Sequence, residues 1–357
     1  MNAPLQTTPY PAFVGPVAET LGRWLPENAF SRIFVLCDGQ THRHCLPFIQ
    51  PLLPSDTAFF TLKSPYGHSL EHLKSMAVAE QVWEAMLSAS LDRQALMINL
   101  GGGVVGDLGG FCAALYKRGI RYVQVPTTLL AMTDAALGGK LGVDFQGLKN
   151  MIGVFAAPAA VFADPFWLNT LPPRELLSGF AEVIKHALIG DPGLWAQLTH
   201  GPHPLRMQPA DWPTLLAASM QVKLRIVQED PLEKGLRKLL NFGHTAGHAL
   251  ESWFLQTPEP ITHGEAVVMG MLIESHVAQH GLFKALRAYT DQLYPRRHIP
   301  AWAYHELWAL MQHDKKNEAQ AVVLALPGTT PFSLELMMPR QESVFEAFSA
   351  YNHPINK

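Results

Sequence analysis

Three histidines in the second half of the chain have a spacing that could support chemistry. His244 and His248 stand four residues apart in the run Leu-Asn-Phe-Gly-His-Thr-Ala-Gly-His, and His263 follows within His-Gly-Glu. Residues i and i+4 of a helix share one face, so two imidazoles there can converge on one cation or one anionic substrate. A chain with 16 histidines easily supplies such a pair, so the spacing needs support from elsewhere.

That support lies in the run 178–186, Ser-Gly-Phe-Ala-Glu-Val-Ile-Lys-His, which offers Glu182 and Lys185 on a separate predicted helix. Two imidazoles and one carboxylate, with the fourth position open, form a usual ligand set of catalytic zinc. His186 follows Glu182 by four residues and is a rival ligand by spacing alone. The pattern therefore predicts a metal site.

A glycine-rich turn offers a place for a nucleotide. The run 101–107, Gly-Gly-Gly-Val-Val-Gly-Asp, follows the apolar segment 95–100 and precedes a helix predicted over 104–117. Gly101, Gly103 and Gly106 have the dinucleotide-binding spacing, although tight strand-to-helix packing would need the same glycines. No acidic residue ends a strand about 20 residues later, so Asp38, after the strand 34–37, is the candidate for the adenosine ribose.

A second glycine-rich run surrounds a lysine. Lys140 lies within Gly-Gly-Lys-Leu-Gly, where the backbone can approach a ligand and the ammonium adds charge for a phosphate or carboxylate. Taken alone, the same run would also fit a surface lysine in a loop.

The secondary-structure elements that must position these groups differ between the two halves of the chain. Strands predicted at 32–36, 95–100 and 121–125 alternate with helical patterns, which favours a parallel sheet with crossover helices. Beyond residue 173 the patterns predict helices over 174–189, 212–228, 244–254, 265–280 and 304–313. We therefore expect an α/β NAD-binding domain over 1–168 and a mainly α-helical metal- and substrate-binding domain over 169–357.

Composition limits the class of protein. The chain has 357 residues, of which 48% are hydrophobic and 16% charged, and its net charge is −3. These values favour a well-buried enzyme and give no electrostatic footprint for nucleic acid. We find no signal-peptide pattern and no membrane-length apolar run, so the expected compartment is the cytoplasm. Cys37, Cys45 and Cys112 are predicted to be free, buried thiols.

Taken together, these motifs resemble the 3-dehydroquinate synthase family of sugar-phosphate cyclases. The match spans roughly residues 30–330, and several separate motifs in the right order are more specific than any one of them. The matching runs are 101–107, 116–119, 126–140, 149–153, 170–172, 181–185, 240–248, 263–265 and 314–316.

The resemblance implies a metal, normally zinc with cobalt as a substitute, held by Glu182, His244 and His263. It thus selects His244 over His248 as a ligand and disfavours His186. It also implies NAD in the first domain, an active site in the cleft between the domains, and a sugar-phosphate substrate, 3-deoxy-D-arabino-heptulosonate 7-phosphate.

Roles for further residues follow from the same resemblance. The phosphate end of the substrate would be held by Lys140, Asn150, Asn241, His248 and one of Lys315 and Lys316, with Arg118 of the partner subunit in a homodimer. Its carboxylate and hydroxyls would be held by Lys185, Lys223 and Arg237, with Asp134 between substrate and cofactor. Cofactor contacts would come from Asp38, Glu71, Lys74, Gly102, Gly103, Val104, Asp107, Thr127, Thr128, Lys140, Lys149 and Thr170.

The chain departs from the family pattern on the nucleotide side. Leu70 replaces the glycine of the Gly-Glu-x-x-Lys motif that contains Glu71 and Lys74, and the Asp-x-Asn motif reads Asp38-Gly39-Gln40. Three alternatives stay open. They are a cyclase acting on another sugar phosphate, a metal-dependent NAD polyol dehydrogenase, and a catalytically inactive NAD-binding protein.

Overall fold

The chain divides into two compact units. The structure, a computed structural model, describes residues 4–5, 8–64, 70–146, 148–313 and 321–353. Unit 1 comprises Met1–Pro172 and Gln208–Gln228, and unit 2 comprises Pro173–Met207 and Glu229–Lys357. The expected division had a single boundary at 168/169, whereas unit 1 here also includes a later segment.

The strands of the described residues fall into one large sheet and two small ones. They are β1 (Ala12–Val14), β2 (Ile33–Asp38), β3 (Ala58–Leu62), β4 (Leu96–Gly101), β5 (Arg121–Pro126), β6 (Lys140–Phe145), β7 (Leu148–Phe155), β8 (Ala160–Ala163), β9 (Leu324–Pro327) and β10 (Leu334–Met337). The large sheet has the order β1-β8-β5-β4-β2-β3, and β6-β7 and β9-β10 form antiparallel pairs.

The helices of the described residues are α1 (Val17–Trp24), α2 (Gly39–His44), α3 (Leu46–Ile49), α4 (Met76–Ser88), α5 (Gly103–Leu115), α6 (Pro173–Gly190), α7 (Pro192–His200), α8 (Trp212–Glu229), α9 (His244–Phe254), α10 (His263–Val277), α11 (Phe283–Thr290), α12 (Tyr304–Gln312) and α13 (Gln341–Asn352). The α/β class of the first unit and the helical character of the second are confirmed.

Unit 1 is built on its parallel sheet. All five strand pairings in the sheet are parallel, and β2 and β4 are buried along their whole length, as expected when both faces of a parallel sheet are covered. The chain leaves β2 in one direction to β3 and returns to β4 on the other side. The strand order therefore reverses between β2 and β4, where open α/β sheets bind their ligands.

The helix after β4 ends earlier than predicted. It runs over Gly103–Leu115 rather than 104–117, and a 3₁₀ turn follows over Tyr116–Arg118. Lys117 (φ 50°), Arg118 (φ 68°) and Gly119 (φ 110°) all have left-handed backbone conformations, which end the α-helix. Arg118 is exposed on this turn.

The described residues of unit 2 are mainly helical, and β9 and β10 form a short strand pair. The predicted helices over 174–189, 244–254 and 304–313 are confirmed as α6, α9 and α12, and the one over 265–280 is α10, which begins two residues earlier and ends at Val277. Asp191 caps the next helix, α7, because its Oδ1 accepts the Leu194 N–H at 3.0 Å.

Two further expectations concern the whole chain. Within the described ranges, no helix is both long and apolar enough to cross a membrane. Cys37, Cys45 and Cys112 are free and buried, as predicted. Burial raises the pKa of the Cys45 thiol to about 12 and also raises that of Cys112.

Candidate active site

Three potential metal ligands converge in unit 2. Glu182 Oε1 lies 3.6 Å from His244 Nε2 and 3.6 Å from His263 Nε2, and one ligand atom from each residue lies within 4.8 Å of the others. Two ligands about 2.0–2.1 Å from a tetrahedral zinc ion would be roughly 3.4 Å apart. The donor types and their spacing therefore fit a zinc ion.

Both histidines direct Nδ1 at a hydrogen-bond acceptor, which leaves Nε2 as the nitrogen that can bind a metal. His244 Nδ1 lies 3.2 Å from the Phe242 carbonyl oxygen, and His263 Nδ1 lies 3.2 Å from Glu251 Oε2. A carbonyl oxygen and an ionised carboxylate can only accept, so each Nδ1 carries a proton and donates it. Each Nε2 is thereby the atom available to a metal, and both Nε2 atoms face Glu182.

Glu182 is wholly buried and has an ionic partner. Lys185, one helical turn later on α6, forms an ion pair with Glu182 Oε2, and both side chains are almost fully excluded from solvent. The second oxygen, Oε1, faces the histidines. Glu182 thus offers a charged, rigidly held oxygen to a cation.

The electrostatics of His263 reflect its two carboxylate neighbours. Burial lowers the pKa of His263, but the hydrogen bonds with Glu182 and Glu251 outweigh burial and raise the pKa to about 10. A cation that binds Nε2 at neutral pH therefore has to displace a proton.

Helix α10 brings His263 to Glu182 by packing tightly on α6. A Cβ at Gly264 would lie 2.1 Å from the Ser178 carbonyl oxygen, so only glycine permits this approach. The Gly264 N–H donates to Ser178 Oγ at 3.0 Å, and Ser178 precedes Glu182 by one helical turn. A capping box between Thr262 and Glu265 fixes the start of α10, so His263 is its first residue.

Helix α9 is placed by a buried carboxylate on α10. Glu274 accepts the N–H of Gly243 at 2.7 Å and that of Ala246 at 3.0 Å, and so satisfies two donors at the start of α9. Gly243 has a left-handed conformation (φ 78°), and a Cβ there would lie 2.4 Å from the Met271 side chain. The first residue of α9 is His244.

Three further predicted site residues of unit 2, His248, Asn241 and Arg237, contact groups other than Glu182. The His248 ring centroid is 5.1 Å from that of His244 and 6.0 Å from that of His263. Asn241 Nδ2 donates to Glu233 Oε1 at 2.9 Å. Arg237 is buried, and its guanidinium donates to the Pro231 carbonyl oxygen at 2.6 Å.

In unit 1 four of the predicted nucleotide residues directly follow the carboxyl ends of β4 and β5: Gly102, Gly103, Thr127 and Thr128. Gly102 caps α5, and a Cβ there would lie 3.3 Å from the Thr128 side chain. The Thr127 N–H donates to the Gly101 carbonyl oxygen at 3.0 Å. Backbone N–H groups at a helix N-terminus can bind a pyrophosphate.

Two predicted cofactor residues contact each other instead of standing apart. Lys74 Nζ lies 2.5 Å from Asp107 Oδ2, and Lys74 is buried. Asp38 Oδ1 accepts the N–H groups of Gln40 and Thr41 and caps α2. Nucleotide contacts by Asp38, Lys74 and Asp107 stay predictions.

Asp134 and Lys223 also meet in unit 1. The Lys223 ammonium donates to the Asp134 carbonyl oxygen at 2.6 Å and forms an ion pair with the Asp134 carboxylate. Lys140 and Asn150 are exposed on the hairpin β6-β7, and the Asn150 N–H donates to Asp144 Oδ1 at 2.7 Å.

Three further predicted cofactor residues, Glu71, Lys149 and Thr170, also lie in unit 1. Glu71 lies in a 3₁₀ turn, Lys149 is exposed on β7, and the Thr170 hydroxyl donates to the Trp167 carbonyl oxygen at 3.0 Å. Lys315 and Lys316 lie outside the described residues.

Sequence reasoning missed two carboxylates, Glu251 and Glu274. Glu251 follows His244 by seven residues, so helical periodicity could have placed it on the same face of α9. Glu274 gives no such signal, because its role depends on how α10 packs against α9.

Solved structures share this fold. A 2-deoxy-scyllo-inosose synthase complexed with carbaglucose-6-phosphate, NAD+ and Co2+ matches with a TM-score of 0.82 at 22% identity, covering 98% of this chain and 99% of the other. The 2-epi-5-epi-valiolone synthase of Streptomyces hygroscopicus subsp. jinggangensis, with NAD+ and Zn2+ bound, matches at 0.76 and 25%, covering 97% and 98%. The chain thus has the fold of the sugar-phosphate cyclases.

Sequence comparison is more specific. Residues 67–178 match the model for the 3-dehydroquinate synthase N-terminal region, and residues 179–317 match that for the C-terminal region. A 3-dehydroquinate synthase of Parabacteroides distasonis is 39% identical, over 85% of this chain and 86% of the relative. One from Streptococcus pneumoniae is 42% identical, over 75% and 78%. The chain belongs to the 3-dehydroquinate synthase family.

Proposed function

We propose that this protein converts 3-deoxy-D-arabino-heptulosonate 7-phosphate to 3-dehydroquinate and phosphate, a carbon-oxygen lyase reaction of the shikimate pathway in aromatic amino acid biosynthesis. The observation that carries the proposal is the convergence of Glu182, His244 and His263 beside Lys185 in a chain of this family. The family relatives support this reaction over that of another cyclase or a polyol dehydrogenase.

The proposed cofactors are zinc, or cobalt in its place, and NAD. Glu182 Oε1, His244 Nε2 and His263 Nε2 would hold the metal. A bound metal would polarise a ring hydroxyl of the substrate, and NAD would supply the hydride acceptor that is regenerated in each cycle. Phosphate would leave by elimination together with the proton of the C–H bond next to the transient ketone. The ring would then open, and an intramolecular aldol reaction would close the carbocycle.

The chain's own cations and amides bind and orient the substrate. Lys185 and Arg237 are buried and supply fixed positive charge for the carboxylate and hydroxyls. Asn241 and His248 would bind phosphate oxygens, and Lys223 would orient Asp134, with which it forms an ion pair. Lys140, Asn150 and Lys316 complete the proposed phosphate-binding set.

In unit 1 the turn 101–103 and the start of α5 would bind the NAD pyrophosphate through backbone N–H groups. We assign unit 1 to NAD and unit 2 to the metal. The other proposed nucleotide contacts are Asp38, Glu71, Lys74, Val104, Asp107, Thr127, Thr128, Lys140, Lys149 and Thr170.

We also infer that the active unit is a homodimer in which Arg118 of the partner subunit completes each phosphate site. Three free, buried thiols suit a reducing compartment, and we infer that the protein works in the cytoplasm.

The test supplies the heptulosonate phosphate, zinc and trace NAD to the purified protein. We expect many equivalents of phosphate and dehydroquinate per NAD, with no net absorbance from NADH. NADH accumulating in proportion to an oxidised polyol, without phosphate release, would instead identify a dehydrogenase.

A further inference from the structure

The two proposed histidine ligands are oriented by different kinds of partner. The Nδ1 of His244 donates to a backbone carbonyl, that of Phe242, which no side-chain substitution removes. The Nδ1 of His263 donates instead to the carboxylate of Glu251, at 3.2 Å. The Nδ1 atom of His263 is therefore held by a side chain that lies outside the proposed ligand set.

Glu251 is delivered to His263 by the helix that carries the other ligand. It lies on α9, seven residues after His244 and three after His248, so the three side chains share a face. Its side chain is 20% exposed and that of His263 is 25% exposed. The hydrogen bond is thus largely shielded from water, which strengthens it.

The chemistry of this contact favours a metal at the opposite nitrogen. An imidazole that binds a metal through Nε2 keeps one proton, and an ionised carboxylate beside Nδ1 holds that proton there. The negative charge also increases the basicity of Nε2. That atom lies 3.6 Å from Glu182 Oε1, on the side where the ligand set converges.

We propose that Glu251 is a positioning residue that presets His263 as a metal ligand through a carboxylate–imidazole hydrogen bond. This inference rests on the proposed metal site and adds a member that does not touch the metal. Outer carboxylates of this kind change metal affinity by about 10- to 100-fold when they are removed.

Zinc and cobalt alone are the probes, so that the test does not depend on turnover. Glu251→Ala should bind zinc about 10- to 100-fold more weakly in competition with a chromophoric chelator, and its cobalt complex should have an altered visible spectrum. Glu251→Gln retains an oxygen acceptor of the same reach and should recover part of the affinity and of the spectrum.

Glu306→Gln is the matched control. The Glu306 carboxylate accepts a hydrogen bond from Trp253 Nε1 at 3.1 Å, so it also binds a side chain of α9, but it is exposed and does not contact His263. This variant should keep wild-type zinc affinity. Unfolding midpoints of the metal-free variants show whether each is folded.

Three outcomes would overturn the proposal. Zinc affinity of Glu251→Ala within twofold of wild type would remove the positioning role, even if its unfolding midpoint falls. Glu251→Gln no better than Glu251→Ala would exclude the hydrogen bond as the cause. Full zinc binding by His244→Ala would show that the metal site itself is wrong. If His244→Ala loses zinc while Glu251→Ala keeps it, the metal site stands and only the role of Glu251 is refuted.

Discussion

Glu182 uses its two carboxylate oxygens for different purposes. Oε2 forms the ion pair with Lys185, and Oε1 faces the Nε2 atoms of His244 and His263. A wholly buried carboxylate requires compensating charge, and Lys185 provides it from the same helix. The carboxylate is therefore held in one direction before any ligand binds.

Removing one proposed ligand should remove the metal. We expect His244→Ala to lose bound zinc and turnover while it remains folded, because two of the three ligand atoms do not suffice for a tight site. Zinc content after purification and circular dichroism check this. His200→Ala, at the exposed end of α7, is the control and should keep its zinc. A full equivalent of zinc in His244→Ala would refute the assignment.

Lys185 should matter for stability as well as for catalysis. Lys185→Met leaves Glu182 buried without its ammonium, so the free energy of unfolding should fall by about 3–5 kcal/mol. Added zinc should restore part of the loss, because it binds the folded state. Urea unfolding with and without zinc measures both effects.

The control for this change is Lys284→Met, on the exposed side of α11, which should alter stability by no more than about 0.5 kcal/mol. Equal losses in the two lysine variants would show that the Glu182–Lys185 pair has no special role.

The sequence identified the proposed ligands better than their supports. Glu182, His244 and His263 stand in recognisable motifs with helical spacing. Glu251 and Glu274 are ordinary glutamates by sequence, and their roles depend on which helices pack together. Local sequence patterns identify side chains that can take part in chemistry. The residues that orient those side chains are set by long-range contacts, which local patterns do not show.

At the scale of elements, the site depends on the approach of α10 to α6. In Gly264→Ala the new Cβ would meet the Ser178 backbone at 2.1 Å, and backbone cannot move aside cheaply. The start of α10 should shift and carry His263 away from Glu182. We expect a loss of about 1–3 kcal/mol in unfolding free energy and weaker zinc binding.

Gly281→Ala provides the comparison for Gly264→Ala, since a Cβ at Gly281 meets nothing within 4 Å. Urea unfolding and chelator competition on both variants separate the effect of contact from that of adding a methyl group. Wild-type zinc affinity in Gly264→Ala would contradict the packing argument.

The N-terminal part of α5 should make stability depend on pH. Burial raises the pKa of Asp107 to about 6, against the opposing effect of Lys74. The pKa of Asp107 in the folded state thus exceeds its value of about 3.9 in the unfolded state. The stability that protonated Asp107 contributes is therefore complete below about pH 3.9 and is lost as the pH rises to about 6. Asp107→Asn should abolish this loss.

Urea unfolding of both proteins at pH 4, 5, 6 and 7 tests this expectation. The unfolding free energy of the wild type, relative to Asp107→Asn, should fall from pH 4 to about pH 6 and then level off. If the stability of the wild type relative to Asp107→Asn increases over the same interval, the charge of Lys74 outweighs burial and lowers the pKa of Asp107.

Several elements with a clear local pattern were predicted within a few residues, and others were not. The helix 244–254 has the bounds predicted for it, and the strands at 32–36, 95–100 and 121–125 are present within two residues. The three-residue strand β1 and the hairpin β6-β7 were not predicted. β1 pairs with β8, about 150 residues away, so its formation depends on tertiary contacts rather than local pattern.

At the scale of the whole molecule, one helix belongs to a unit that its position in the sequence does not suggest. The segment Gln208–Gln228, which includes most of α8, is part of unit 1, although helices of unit 2 precede and follow it. Its amphipathic pattern predicted a helix over 212–228 correctly. The unit to which a helix belongs is set by its contacts, which local pattern does not encode.

The position of Arg118 motivates a test of the assembly. Helix α5 has 13 residues, so it separates the nucleotide turn from the residues after its end by about 20 Å at 1.5 Å per residue. Arg118 lies beyond that end and is exposed. We therefore expect Arg118 to contact a phosphate site in a neighbouring subunit rather than one beside its own cofactor turn.

Homodimers of Arg118→Ala and of Lys140→Ala should both be nearly inactive. After subunit exchange between equal amounts, half of the dimers are mixed, and one of the two sites in each combines an intact Lys140 with an intact Arg118 of the partner subunit. Activity should therefore recover to roughly a quarter of the wild-type value. Exchange is followed by mass spectrometry of the intact dimers. If Arg118 acts within its own chain, every mixed site keeps one lesion, and mixed dimers that remain inactive would rule out the shared site.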